Sequence, residues 1–221
     1  ASDVYKRQGV LGLEHPHTAT SLKDLGLLYL RQGKHEQAEP LFQQALAIRE
    51  RVLEPDHPDT VTSLNDLAWL YQTQGKYEQA EPLNKRALTI RERVLGLENS
   101  DTAIGFKDLG LLYLRQGKYE QAESLLQQAL AIREQILGAE HPDTAITLND
   151  LGLLYIQLGK SSQAEPLLQR ALMISEKVLG PDHPAVADSL KNYSILLLKT
   201  NRKAEASEVE IRIKAIRATN T

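Results

Sequence analysis

The feature that most constrains this 221-residue chain is an internal period. A His-Pro-x-Thr motif at positions 15–18 returns at 57–60 and 141–144, and in altered form at 99–102 and 183–186, always 42 residues further on. Gly33-Lys34, Gly75-Lys76, Gly117-Lys118 and Gly159-Lys160 keep the interval, as do Ala38, Ala80, Ala122, Ala164 and Ala206. A constant period without gaps means one supersecondary unit, copied and stacked so that neighbours bury each other's apolar faces.

Within a unit, Leu22, Leu25, Gly26 and Tyr29 fall at helical spacing, and so do Ala38, Leu41, Phe42, Ala45, Leu46 and Ile48. Gly33-Lys34 interrupts the periodicity between them, so each unit reads as two antiparallel helices. Pro58, Pro142 and Pro184 suit the first helical position, where a missing N–H costs no hydrogen bond, and Asp59 and Asp143 favour the positive end of the helix dipole. Gly26, Gly110 and Gly152 are expected opposite Ala38, Ala122 and Ala164, bringing the paired axes close, with Tyr29, Tyr71, Tyr113 and Tyr155 filling the next layer. The fold class is all-α, an α-solenoid of stacked antiparallel helix pairs.

Composition agrees. With 42% hydrophobic and 25% charged residues the chain can build a core, and its net charge of -3 gives no general footprint for nucleic acid or anionic lipid. No run approaches the roughly 18 apolar residues that would span a membrane. Without cysteine there is neither a disulfide framework nor a thiolate metal site. A cytoplasmic location is the working expectation.

The run Leu22-x-x-Leu25-Gly26-x-x-Tyr29, followed by Ala38-x-x-x-Phe42, resembles the tetratricopeptide signature. The longer period, with its Asp-His-Pro-Asp loop, resembles the repeats of kinesin light chain and its bacterial relatives. The resemblance covers roughly residues 9–215 and implies a right-handed superhelix in which the first helix of each pair lines a concave groove. Repeats are assigned to 15–56, 57–98, 99–140, 141–182 and 183–217, within a single solenoid from 9 to 221. Residues 1–8 read as a foreign or disordered leader, with an irregular natural leader as the alternative, and Glu208 and Glu210 suit a terminal helix facing water.

Histidine recurring beside aspartate can signal metal, yet His15, His57, His141 and His183 stand one per repeat, too far apart in sequence for a zinc motif. They read as helix-start chemistry. No phosphate-loop, zinc-protease or nucleophile-elbow motif occurs, so no enzyme, metal or cofactor is expected.

The face of the first helices turned away from their partners carries Lys23, Leu27 and Arg31, then Asn65, Trp69 and Gln72, then Lys107, Leu111 and Arg115, then Asn149 and Leu153, and finally Lys191. Leu30 and Ile156 are placed on the same row. Its mixture of cations and apolar side chains suggests a groove for an extended peptide with an acidic residue beside a bulky apolar one, a ligand type that the light-chain resemblance allows. Asp24, Asp66, Asp108 and Asp150 stand where light-chain repeats often have asparagine, and are placed to neutralise the lysines. Trp69, the only tryptophan, reads equally as a groove anchor or as a residue shared between neighbouring helices. Asn84, polar where Phe42, Leu126 and Leu168 are apolar, is expected at the surface. The leading reading is a non-enzymatic interaction scaffold or adaptor binding a protein or peptide. The alternative is a regulatory or self-associating sensor segment of a larger bacterial signalling protein, associating through the ends of the array.

Overall fold

The computed structural model describes residues 15–219, and the leader assigned to residues 1–8 lies outside them. The described elements are helices: α1 (Pro16–Arg31), α2 (His35–Val52), α3 (Pro58–Thr73), α4 (Tyr77–Leu95), α5 (Ser100–Arg115), α6 (Tyr119–Leu137), α7 (Pro142–Gln157), α8 (Ser161–Leu179), α9 (Pro184–Lys199) and α10 (Lys203–Thr219). The chain divides into two compact units, Ala1–Gly96 and Leu97–Thr221. In the first, α1 packs on α2, α2 on α3 and α3 on α4. In the second, each helix from α5 to α10 packs on the next, and α7 also meets α5 and α9. Each unit is a stack of helix pairs, the all-α architecture expected.

The repeated histidines start helices. Nδ1 of His57, His141 and His183 accepts the backbone N–H two residues on, at 3.1, 3.1 and 3.2 Å, and His15 does the same at 3.2 Å. Asn99 performs the task with Oδ1, at 2.8 Å. The two residue types interchange because each presents an acceptor bonded to Cγ, at the same reach from the backbone. Each cap satisfies one of the donors a helix leaves unpaired at its first turn. His141→Ala is therefore expected to lose about 1 kcal/mol in urea unfolding, and His141→Asn to retain most of it.

The Gly-Lys pairs end the first helices. Gly33, Gly75, Gly117 and Gly159 have φ of +72°, +72°, +72° and +71°, the left-handed conformation that closes a helix C-terminus. The following lysine then returns over the helix it leaves: Lys118 Nζ lies 5.1 Å from the centre of the Tyr113 ring and Lys160 Nζ 5.5 Å from that of Tyr155. Asn201, with φ of +61°, takes the turn where glycine is missing, consistent with its tolerance of this region.

The close approach of paired helices differs from the sequence expectation. A Cβ on Gly26 would lie 2.8 Å from the Phe42 ring, one on Gly110 2.9 Å from Leu126, and one on Gly152 2.5 Å from Leu168. The glycines thus face the large residues four positions beyond the alanines, and each makes room for a bulky side chain. In the second pair, Ala68 stands at the glycine position and Asn84 at the bulky one. Asn84 is not at the surface as expected: it is buried, with Nδ2 unpartnered. The helix face that buries Phe42, Leu126 and Leu168 buries whatever side chain the register places there.

Candidate functional site

Beneath the first-helix row, once in each unit, lies a buried arginine with charged neighbours on successive first helices. In the first unit, the Arg49 side chain is 3% exposed and reaches from the last turn of α2 toward α3 and α1. Its Nη1 donates to the Asp59 carbonyl at 3.0 Å and to Ser63 Oγ at 2.6 Å, and its Nη2 to Thr20 Oγ1 at 3.5 Å. Lys23 lies 3.4 Å from Asp24 on the same helix. Asp66, on α3, completes the set: burial pushes its carboxyl up, while Lys23 and then Arg49 pull it down.

The second unit repeats this with Arg133, equally buried, donating through Nη1 to the Asp143 carbonyl at 2.7 Å and to Thr147 Oγ1 at 2.6 Å. Lys107 lies 3.0 Å from Asp108. Burial pushes Asp150 up to about 6, against the opposing pull of Lys107 and Arg133, with Asp108 adding to the rise. Burial lowers the Arg133 guanidinium, against Asp143, Asp150 and Asp108, whose charges raise it. Oδ2 of both Asp66 and Asp150 is buried without a hydrogen-bond partner.

In each cluster two cations face two carboxylates from successive first helices. Lys23 and Lys107, whose side chains are only 23% and 18% exposed, are neighbours of carboxylates and not isolated groove cations. Sequence reasoning anticipated the aspartates as neutralising partners but missed Arg49 and Arg133. Their signal was present: each follows Ala45 and Ile48, or their copies, at the i, i+4 and i, i+1 spacing of a buried stripe, where a charge requires internal partners.

Of the remaining row, Arg31, Arg115 and Lys191 are exposed, and Leu27, Asn65, Gln72, Leu111, Asn149 and Leu153 are part-buried. Trp69 is 48% exposed on α3. Leu30 and Ile156 do not belong to the open row, being buried. Each stands four residues after a glycine that packs on the second helix, and so shares its inward face. Among the described residues, no group of three or more histidine, aspartate or glutamate side chains is placed to hold a metal ion, and no helix is long and apolar enough to cross a membrane.

A family model described as tetratricopeptide repeat matches residues 4–51, 26–93, 101–177 and 163–217. No curated protein sequence matches significantly. Among solved structures, the kinesin light chain-type, nearly identical TPR-like repeats of Podosopora anserina are 27% identical, with a TM-score of 0.75 over 94% of this chain and 98% of that one. BtubC (BKLC) from P. vanneervenii is 21% identical, with a TM-score of 0.77 over 99% of this chain and 87% of that one. A Rap protein complexed with competence and sporulation factor is 16% identical, with a TM-score of 0.63 over 92% of this chain and 65% of that one.

Proposed function

The chain belongs to the tetratricopeptide repeat family, and on that premise we propose that it is an adaptor module whose first helices seat an extended segment of a partner protein. Repeats of this family generally mediate protein–protein interaction and are not catalytic. The observation that carries the reading is Trp69, a side chain about half exposed on α3 in a row that also holds leucines, lysines, arginines and uncharged polar groups. Folding alone favours covering so large an apolar surface, and tryptophan is among the commonest energetic centres of protein interfaces.

The segment we propose is acidic beside a bulky apolar residue. Its apolar side chain stacks on Trp69 and Leu27, and its carboxylate meets the exposed Arg31, with part-buried Lys23 adding positive potential from its place beside Asp24. In the second unit Lys107, Leu111, Arg115, Asn149, Leu153 and Lys191 supply the corresponding surface, with Asn65 and Gln72 as polar contacts on α3. The role is that of a cytoplasmic scaffold.

An array of extended peptides, acidic-apolar against basic-apolar, tests this at two salt concentrations. Acidic-apolar peptides are expected to bind, more weakly at the higher salt, and to lose at least about tenfold when Lys23, Lys107 and Lys191 are changed together to alanine. Binding of neither class by a folded monomer would defeat the reading, and a mass rising with concentration would transfer it to self-association.

A further inference from the structure

The arginine that organises the junctions after α2 and α6 is absent after α8. Adding 42 to Arg133, Asp143 and Thr147 gives Ser175, Ala185 and Ser189, so a serine stands where the guanidinium would be while the positions of its acceptors are kept. The exchange leaves a pocket of about 300 Å³ among α7, α8 and α9, lined by Asn149, Asp150, Ser175, Asp188, Ser189 and Asn192 with smaller apolar contributions. Ser175 is too short to fill it and donates instead to the Ala171 carbonyl of its own helix, at 2.9 Å.

The lining is rich in acceptors. Asp150 Oδ2 is buried and unpartnered, and Asn149 directs Nδ2 to Ser189 Oγ at 2.8 Å, which leaves its buried Oδ1 without a partner. Asp188, exposed at the rim, adds a second carboxylate, and no lysine or arginine lines the space. We propose that this pocket is a binding site for an arginine side chain of a partner segment, whose guanidinium takes the position that Arg49 and Arg133 occupy in their own junctions. A planar group with five donors matches acceptors spread around a slot, whereas an ammonium on a flexible stem does not. The pocket shares Asn149 with the proposed peptide surface and includes none of its cations, so the peptide array and the arginine titration test the two readings independently.

The test is a titration of the ¹⁵N-labelled chain with N-acetyl-arginine methylamide, and with its citrulline counterpart, which keeps the shape and lacks the charge. Saturable shifts are expected at the amides of Ser175, Ala185, Ser189 and Asn192 with the arginine compound, and affinity at least about tenfold weaker with citrulline. Ser175→Arg, which supplies the missing guanidinium from within the chain, is expected to abolish the response. Should that variant fold poorly, Asp188→Asn, at an exposed rim position, is expected to weaken binding severalfold with the helical spectrum unchanged. Absence of saturation at these amides, equal binding of citrulline, or an undiminished response in a folded Ser175→Arg chain would each overturn the assignment.

Discussion

Arg133→Ala is expected to destabilise the second unit by about 3 to 5 kcal/mol, the range for removing one partner from a buried ion pair. The side chain is 3% exposed, and its loss removes two short hydrogen bonds, to the Asp143 carbonyl at 2.7 Å and the Thr147 hydroxyl at 2.6 Å, leaving those two groups their own longer contact at 3.2 Å. It also removes a positive charge from beside Asp150, whose ionised form is already opposed by burial. Arg133→Met restores most of the volume but none of the hydrogen bonds, and is expected to recover only the packing part of the loss. Urea midpoints of the two variants, with and without Asp150→Asn, separate these contributions: the cost of losing Arg133 should shrink once residue 150 carries no charge.

Asp150→Asn alone is expected to raise stability at pH 7.5. A carboxyl moved from 3.8 to about 6 on folding prefers its neutral form in the folded state, so the contribution to stability is complete below the unfolded value and is lost as pH rises through the folded one. The displacement corresponds to about 3 kcal/mol by the standard conversion. Asparagine cannot ionise and avoids this loss, so the variant should gain up to about 3 kcal/mol at pH 7.5 and almost nothing near pH 4. Thermal unfolding of both chains across that interval measures the difference. A gain that does not change with pH would mean that the ionisation of Asp150 is not its source.

These charged clusters also mark the limit of what was legible in the sequence. The period, helix pairs, capping histidines and closing glycines are local, each written within a few residues of where it acts. The register of Arg49 and Arg133 points to burial, but their partners were opaque, because the acceptors come from the next first helix, 10 and 14 residues on, and the carboxylates from two first helices one repeat apart. Asn84 misled because polarity suggests exposure, while its register places it where Phe42, Leu126 and Leu168 are buried. The glycines were right in kind and wrong in partner, since helical spacing says which residues share a face but not which residue of the opposite helix lies across from them. The candidate row was legible as a stripe; the coupling of its lysines to Asp66 and Asp150, one repeat further on, became visible only once successive first helices stood side by side.

The first-helix row is the surface proposed to meet a partner, and the chain carries its own reporter there. Trp69 is the only tryptophan and is about half exposed, so a peptide seated over it must change its fluorescence. Titration with an acidic-apolar peptide is expected to shift the emission saturably to shorter wavelength, with the same dissociation constant that calorimetry gives. Calorimetric binding that leaves the emission unmoved would contradict the account, and would place the partner surface elsewhere on the molecule.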